Sequence, residues 1–142
     1  MHTISHMLAL DIETLGLLDQ KPLPDITCAC LFDGETEYLL QLYGVAEEVR
    51  SRNIDTLLTL LDTSDHIIGF NAVFFDLEFI KQAFSVSDER MSMWVRKTVD
   101  PYIFLKCALN NTSAMSSLLS LNSLPSKTGS GIQAITMALE VT

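Results

Sequence analysis

The chain has 142 residues, 48% of them hydrophobic, with six glycines, four prolines and a formal net charge of −9. That length suits one domain around one core; no apolar run reaches the roughly 20 residues that would cross a bilayer, and "MHTISHML" lacks the charged and then long apolar segments of a secretion signal, so the expected location is the cytoplasm, or the nucleus in a eukaryote. Residues 1–70 carry twelve acidic against three basic side chains and residues 71–142 six of each, which excludes the broad basic footprint of a protein that grips nucleic acid by charge alone.

In chain order, "ISHMLALDI" (4–12) reads as a strand with a continuous apolar end, the pattern of a central strand covered on both faces. "DITCACLF" (25–32) and "TEYLLQLY" (36–43) flank a short turn at Asp33, Gly34 and Glu35 and are expected to pair as an antiparallel hairpin. The period then changes. Across residues 44–65, Val45, Val49, Ile54, Leu57, Leu58 and Leu61 recur near helical spacing, with charges on the other side. A strand "HIIGF" (66–70) follows, and then a helix over roughly 75–84 that gathers Phe75, Phe79, Ile80 and Phe84. Three strands, a helix, a strand and a helix predict an α/β fold, with the fourth strand parallel to the first through a helical crossover. At "VDPYIFLKCAL" Asp100 is placed to cap a helix whose first residue is Pro101, which suits structure better than metal ligation. "SSLLSLN" (116–122) and "GIQAITMALE" (131–140) predict two more short helices.

Cys28, Cys30 and Cys107 lack the C-x-x-C spacing of a zinc ribbon, and His2, His6 and His66 show no ligand spacing with them. Trp94, Met91 and Met93 read as packing residues. "KTGSG" does not have the order of a phosphate-binding P-loop, so Lys127–Gly131 reads as a helix-entry loop. The chemistry lies elsewhere. Asp11 and Glu13 are two apart on the first predicted strand, so they project from one face at its end. Two like charges brought together there need hydrogen bonds or cations to offset them, and oxygen ligands suit one or two divalent metals. The bland alternative is a strand end with two solvated acids. Asp76 alters that balance, because a βα junction beside the first strand would bring it towards Asp11 and Glu13.

"LALDIETLG" and "GFNAVFFDLEFI" resemble the first and second motifs of the DEDD superfamily of 3′–5′ exonucleases, and the Asn71 to Asp76 spacing is most similar to the proofreading domains of family B DNA polymerases. The resemblance implies a ribonuclease H-like mixed sheet, an antiparallel hairpin plus a parallel strand with flanking helices. It implies a single domain over 1–142 that cuts phosphodiester bonds of single-stranded DNA or RNA with two Mg²⁺ or Mn²⁺ ions. By the same resemblance Asp11 would bridge both ions, Glu13 would bind one and Asp76 the other. Thr14 and Leu15 would meet the terminal nucleotide, with Asn71 and Phe75 lining the single-strand path.

The family's third motif, a Tyr or His followed by a last Asp, is expected just after "GIQAITMALE", and no Tyr or His follows Tyr102. A domain incomplete at its C-terminus is therefore expected, its last ligand supplied by a missing C-terminal segment or by a partner. The alternative is an inactive exonuclease-fold module that binds nucleic acid, a polymerase or a helicase. A third possibility is a homodimer formed where the last helix should pack.

Overall fold

A computed structural model describes residues 6–110 and 114–124. Its first strand, β1 (Met7–Thr14), buries Leu8, Leu10, Ile12 and Thr14 and turns Met7, Ala9 and Asp11 outward. This strict alternation corrects the expected coverage of both faces: among the described residues, helices cover only one. β2 (Ile26–Phe32) pairs antiparallel with β1, and β3 (Glu37–Gln41) pairs antiparallel with β2. The expected hairpin turn is held by Asp33, whose Oδ1 accepts from the amides of Glu35 (2.9 Å) and Thr36 (2.7 Å). Gly34 takes the positive φ of 99° that the turn requires.

Helix α1 (Glu47–Thr63) carries the chain across the sheet to β4 (His66–Ile68), which runs parallel to β1. Glu47 and Glu48 sit in the first turn of α1, where acidic groups favour the helix dipole. No cation occupies its last turn. Instead Lys97, far along the chain, donates to the carbonyls of Asp62 (3.1 Å) and Ser64 (2.5 Å). The Asp62 carboxylate also accepts from Arg90 Nε at 3.0 Å and Nη2 at 2.6 Å, and from the Trp94 indole N–H at 2.8 Å. These bonds fasten α1 to α3 (Asp88–Arg96), a helix with Ser87 as N-cap that the sequence pattern did not reveal.

Between them, the helix expected over 75–84 begins earlier and in another form. A five-residue π-helical turn, Ala72–Asp76, leads directly into α2 (Leu77–Ala83). The two-residue β5 (Thr98–Val99) then adds to β4 in parallel and completes a five-stranded sheet of order β3-β2-β1-β4-β5. α4 (Pro101–Leu109) and α5 (Met115–Leu121) follow, while the helix expected over 131–140 lies outside the described residues.

The core fills the space between one sheet face and α1, α2 and α3. Leu57, Leu61, Leu77, Phe79, Ile80 and Trp94 are fully buried there against Leu8, Ala29 and Ile67. Each such aliphatic or aromatic side chain contributes about 1.5–3 kcal/mol by leaving water, so the core fixes the centre of the sheet firmly. Among the described residues no helix is long and apolar enough to cross a membrane.

Candidate active site

β4 pairs with β1 only through Met7, Leu8 and Ala9, so β1 runs on past the end of its neighbour. An amide on that overhanging edge has no strand to bond, and an unpaired buried N–H is costly. Asp76 fills the gap: its Oδ2 accepts the Ile12 amide at 2.9 Å. Gly69 makes the approach feasible, because a Cβ there would stand 2.5 Å from the Ala72 Cβ and 3.2 Å from the Leu10 carbonyl oxygen.

Asp76 is 5% exposed. Burial pushes its carboxyl up to about 7, helped by the charges of Asp11 and Asp100 and opposed by the bond from Ile12. Asp11 and Asp100 therefore lie within its electrostatic reach. Asp11 is exposed on the uncovered face of β1 and stands directly across from Cys30; Glu13, half-buried on the same face, stands across from Cys28. Beyond Glu13 the pairing slips by one residue, with Thr14 opposite Ile26. Such a bulge bends a strand and re-aims its last side chains. Thr27 secures it by donating to the Glu13 carbonyl at 3.1 Å.

Asp11 also lines a groove of about 560 Å³ on the uncovered face, together with Ala9, Cys30, Phe32 and Leu39. Phe32 is 43% and Leu39 67% exposed, so the floor beside the acid is apolar. The two thiols are near enough to interact. A hydrogen bond from Cys30 is the largest cause lowering the Cys28 thiol to about 7, while the same contact and burial push Cys30 up. All three cysteines are free.

The remaining expected site residues are distributed around this strand end. The Thr14 side chain is buried and donates to the Gly16 carbonyl at 2.7 Å, and the Leu15 amide donates to the Asp25 carbonyl at 2.9 Å. Asn71 adopts a left-handed conformation, φ 57°, at the start of the π-helical turn, and its Oδ1 is buried with no hydrogen-bond partner among the described residues. Phe75 is half-buried and packs at a tilt on Phe79, with ring centroids 5.5 Å apart. Phe74, which sequence reasoning passed over, is 59% exposed on the same turn. The doublet "FF" gave no sign of which ring would face solvent, since that depends on the π-helical winding.

Asp11 and Asp76 thus share one end of β1, with Glu13 two residues on. Oxygen donors of this kind suit hard divalent ions. Among the described residues, however, no group of three His, Cys, Asp or Glu side chains is arranged to hold a metal ion.

A family profile described as the RNase_H superfamily matches residues 8–127. The chain belongs to the RNase_H superfamily. Solved structures agree with that fold. A product-bound exonuclease I superposes with a TM-score of 0.60 at 14% identity, covering 98% of this chain and 42% of the other. A zinc-bound complex of E. coli exonuclease I with single-stranded DNA gives 0.58 at 15% identity, over 94% of this chain and 40% of that one. The complex of ExoI with SSB-Ct gives 0.58 at 15% identity, over 98% and 41%. This chain spans about two fifths of each of these three exonuclease I chains. No curated protein matches its sequence. The mixed sheet expected from the sequence, to which the structure adds β5 as a fifth strand, is the sheet of this superfamily.

Proposed function

We propose that this RNase_H superfamily chain is a metal-dependent 3′–5′ exonuclease domain that hydrolyses phosphodiester bonds of single-stranded nucleic acid. The observation that carries the reading is the buried carboxyl of Asp76, bonded to the amide of Ile12 and within the field of Asp11. A buried acid that ionises with difficulty beside a second acid is the arrangement a divalent cation relieves. Asp11, Glu13 and Asp76 would hold Mg²⁺ or Mn²⁺. When bound, such ions lower the pKa of an attacking water and offset charge on the phosphate and the departing 3′ oxygen.

The chain's own residues would supply position. Ile12 orients Asp76 through its amide, and the bulge at Thr14 directs Glu13. The Leu15 amide is engaged by Asp25, so Leu15 would meet a terminal base with its side chain rather than its N–H. Asn71 and Phe75 would line the strand's path, with the exposed Phe74 ring available for sequence-tolerant stacking. Likeness to exonuclease I, solved with single-stranded DNA, supports the substrate class.

A second reading, an inactive module of the same fold that binds nucleic acid or a replication protein, is favoured by the acidic first half of the chain, twelve acidic against three basic side chains over residues 1–70. Calorimetric titration with Mn²⁺ separates the two. The exonuclease reading expects binding that Asp11→Ala or Asp76→Ala removes, and release of mononucleotides from a single-stranded oligonucleotide that Asp11→Ala abolishes. Release unchanged by Asp11→Ala, or no Mn²⁺ binding in the unaltered chain, refutes it.

A further inference from the structure

Asp100 lies outside the trio of acids, yet its carboxylate sits where the π-helical turn begins. It is 8% exposed. Its Oδ1 accepts the Asn71 amide at 2.8 Å and its Oδ2 accepts the Val73 amide at 3.2 Å. The same Oδ1 accepts the Tyr102 amide at 3.1 Å, the N-cap of α4 that the sequence predicts. One carboxylate thus closes two helix starts, 29 residues apart. The first amides of a helical segment have no partner within it, and an asparagine at the cap position ordinarily supplies one from its own side chain. Asn71 does not: it makes no side-chain cap bond. The turn that carries Asp76 is therefore capped from the junction between β5 and α4.

We infer that Asp100 is a positioning residue for Asp76: by gripping the amides of Asn71 and Val73 it fixes the five-residue turn whose far end sets the Asp76 carboxyl against Ile12. The link is short. Phe75 N–H donates to the Asn71 carbonyl at 3.0 Å, and the Leu77 amide donates to the Ala72 carbonyl, so the turn moves as a unit. Gly69, whose amide donates to the Val99 carbonyl at 3.3 Å, ties the other side of the junction to β5 immediately before Asp100. With three backbone N–H groups on its two oxygens, Asp100 acts as an acceptor that joins the turn to the start of α4. This inference rests on the proposed role of Asp76 only for its functional consequence; the mechanical part stands apart from it.

The test is amide hydrogen exchange, followed by NMR, on the full chain and on Asp100→Asn, which keeps one acceptor oxygen and loses the other. The Asn71, Val73 and Ile12 amides should exchange at least tenfold faster in Asp100→Asn, while the amides of β2 and β3 keep their rates, and Mn²⁺ affinity should fall at least tenfold. Should Asp100→Asn not fold, the unaltered chain still decides, because couplings across the hydrogen bonds from the Asn71 and Val73 nitrogens to the Asp100 carboxyl carbon are expected. Their absence overturns the inference, as does an unchanged Ile12 rate or an equal acceleration of every amide. If Mn²⁺ binds neither protein while Ile12 responds as expected, the exonuclease reading fails and the positioning role stands. If Ile12 does not respond while Mn²⁺ binding still depends on Asp11, the reverse holds.

Discussion

Asp76→Asn should flatten the pH dependence of stability in the metal-free protein. A folded-state carboxyl that holds its proton up to about pH 7, against about 3.9 for the unfolded chain, binds one more proton folded than unfolded throughout that window. Stability therefore falls as pH rises from about 4 to about 7: it is fully present below the unfolded value and lost as pH passes the folded one. About three pH units at 1.36 kcal/mol each set the loss at about 4 kcal/mol. Since Asp76 is 5% exposed, little of this is screened by water. Asparagine keeps an oxygen for the Ile12 N–H and has no proton to lose. Urea unfolding at pH 5 and pH 8 with a chelator present spans about two of those three units, so the unaltered chain should lose about 2.6 kcal/mol more than Asp76→Asn, or on the order of 10 °C in Tm for a domain of this size. Mn²⁺ at pH 8 should restore the unaltered chain and leave the variant unmoved. Parallel pH curves for the two proteins would refute the account of a buried, proton-holding acid.

Gly69→Ala places a methyl 2.5 Å from the Ala72 Cβ; relieving that contact should cost about 1–3 kcal/mol, and an unchanged urea midpoint would show the junction to be loose. Asp62→Ala leaves the indole N–H of fully buried Trp94 without its acceptor and should cost about 1–3 kcal/mol. As Trp94 is the chain's one tryptophan, its emission should shift to the red, and unaltered emission and Tm would contradict the bond. With its thiol lowered to about 7, Cys28 should react with iodoacetamide at pH 7.5 ahead of exposed Cys107; peptide mapping that finds Cys107 modified first would overturn that ordering.

The parts of the fold that repeat were legible. Alternation in β1 and the hairpin, and helical spacing through Leu57 and Leu61, are local records of which side faces the core. The same strand misled in one respect: the run "LALDI" looks continuous because Ala9 is apolar, yet it faces outward. β5 spans two residues, too few for any period to register. α3 left fainter marks, Ser87 before Asp88 and Glu89, with Met91, Trp94 and Val95 at helical spacing. Of the site, the shared face of Asp11 and Glu13 followed from strand geometry. The cap at Asp100 followed from its place before Pro101. Its grip on Asn71 and Val73 did not, since those bonds join segments that meet only after β4 and β5 pair. The left-handed Asn71 and the π-helical turn were equally invisible, because tertiary bonds rather than local propensity hold them.

The order β3-β2-β1-β4-β5 sets the acid-bearing strand in the middle of the sheet. A polypeptide loosens from its margins inwards, so β1 is among the last segments to yield to a protease or to local melting. Variation at the rim, such as a lengthened hairpin at Asp33, can then accumulate without disturbing the spacing of Asp11 from Asp76. The outer strands and trailing helices are where descendants of this chain have latitude to acquire new attachments.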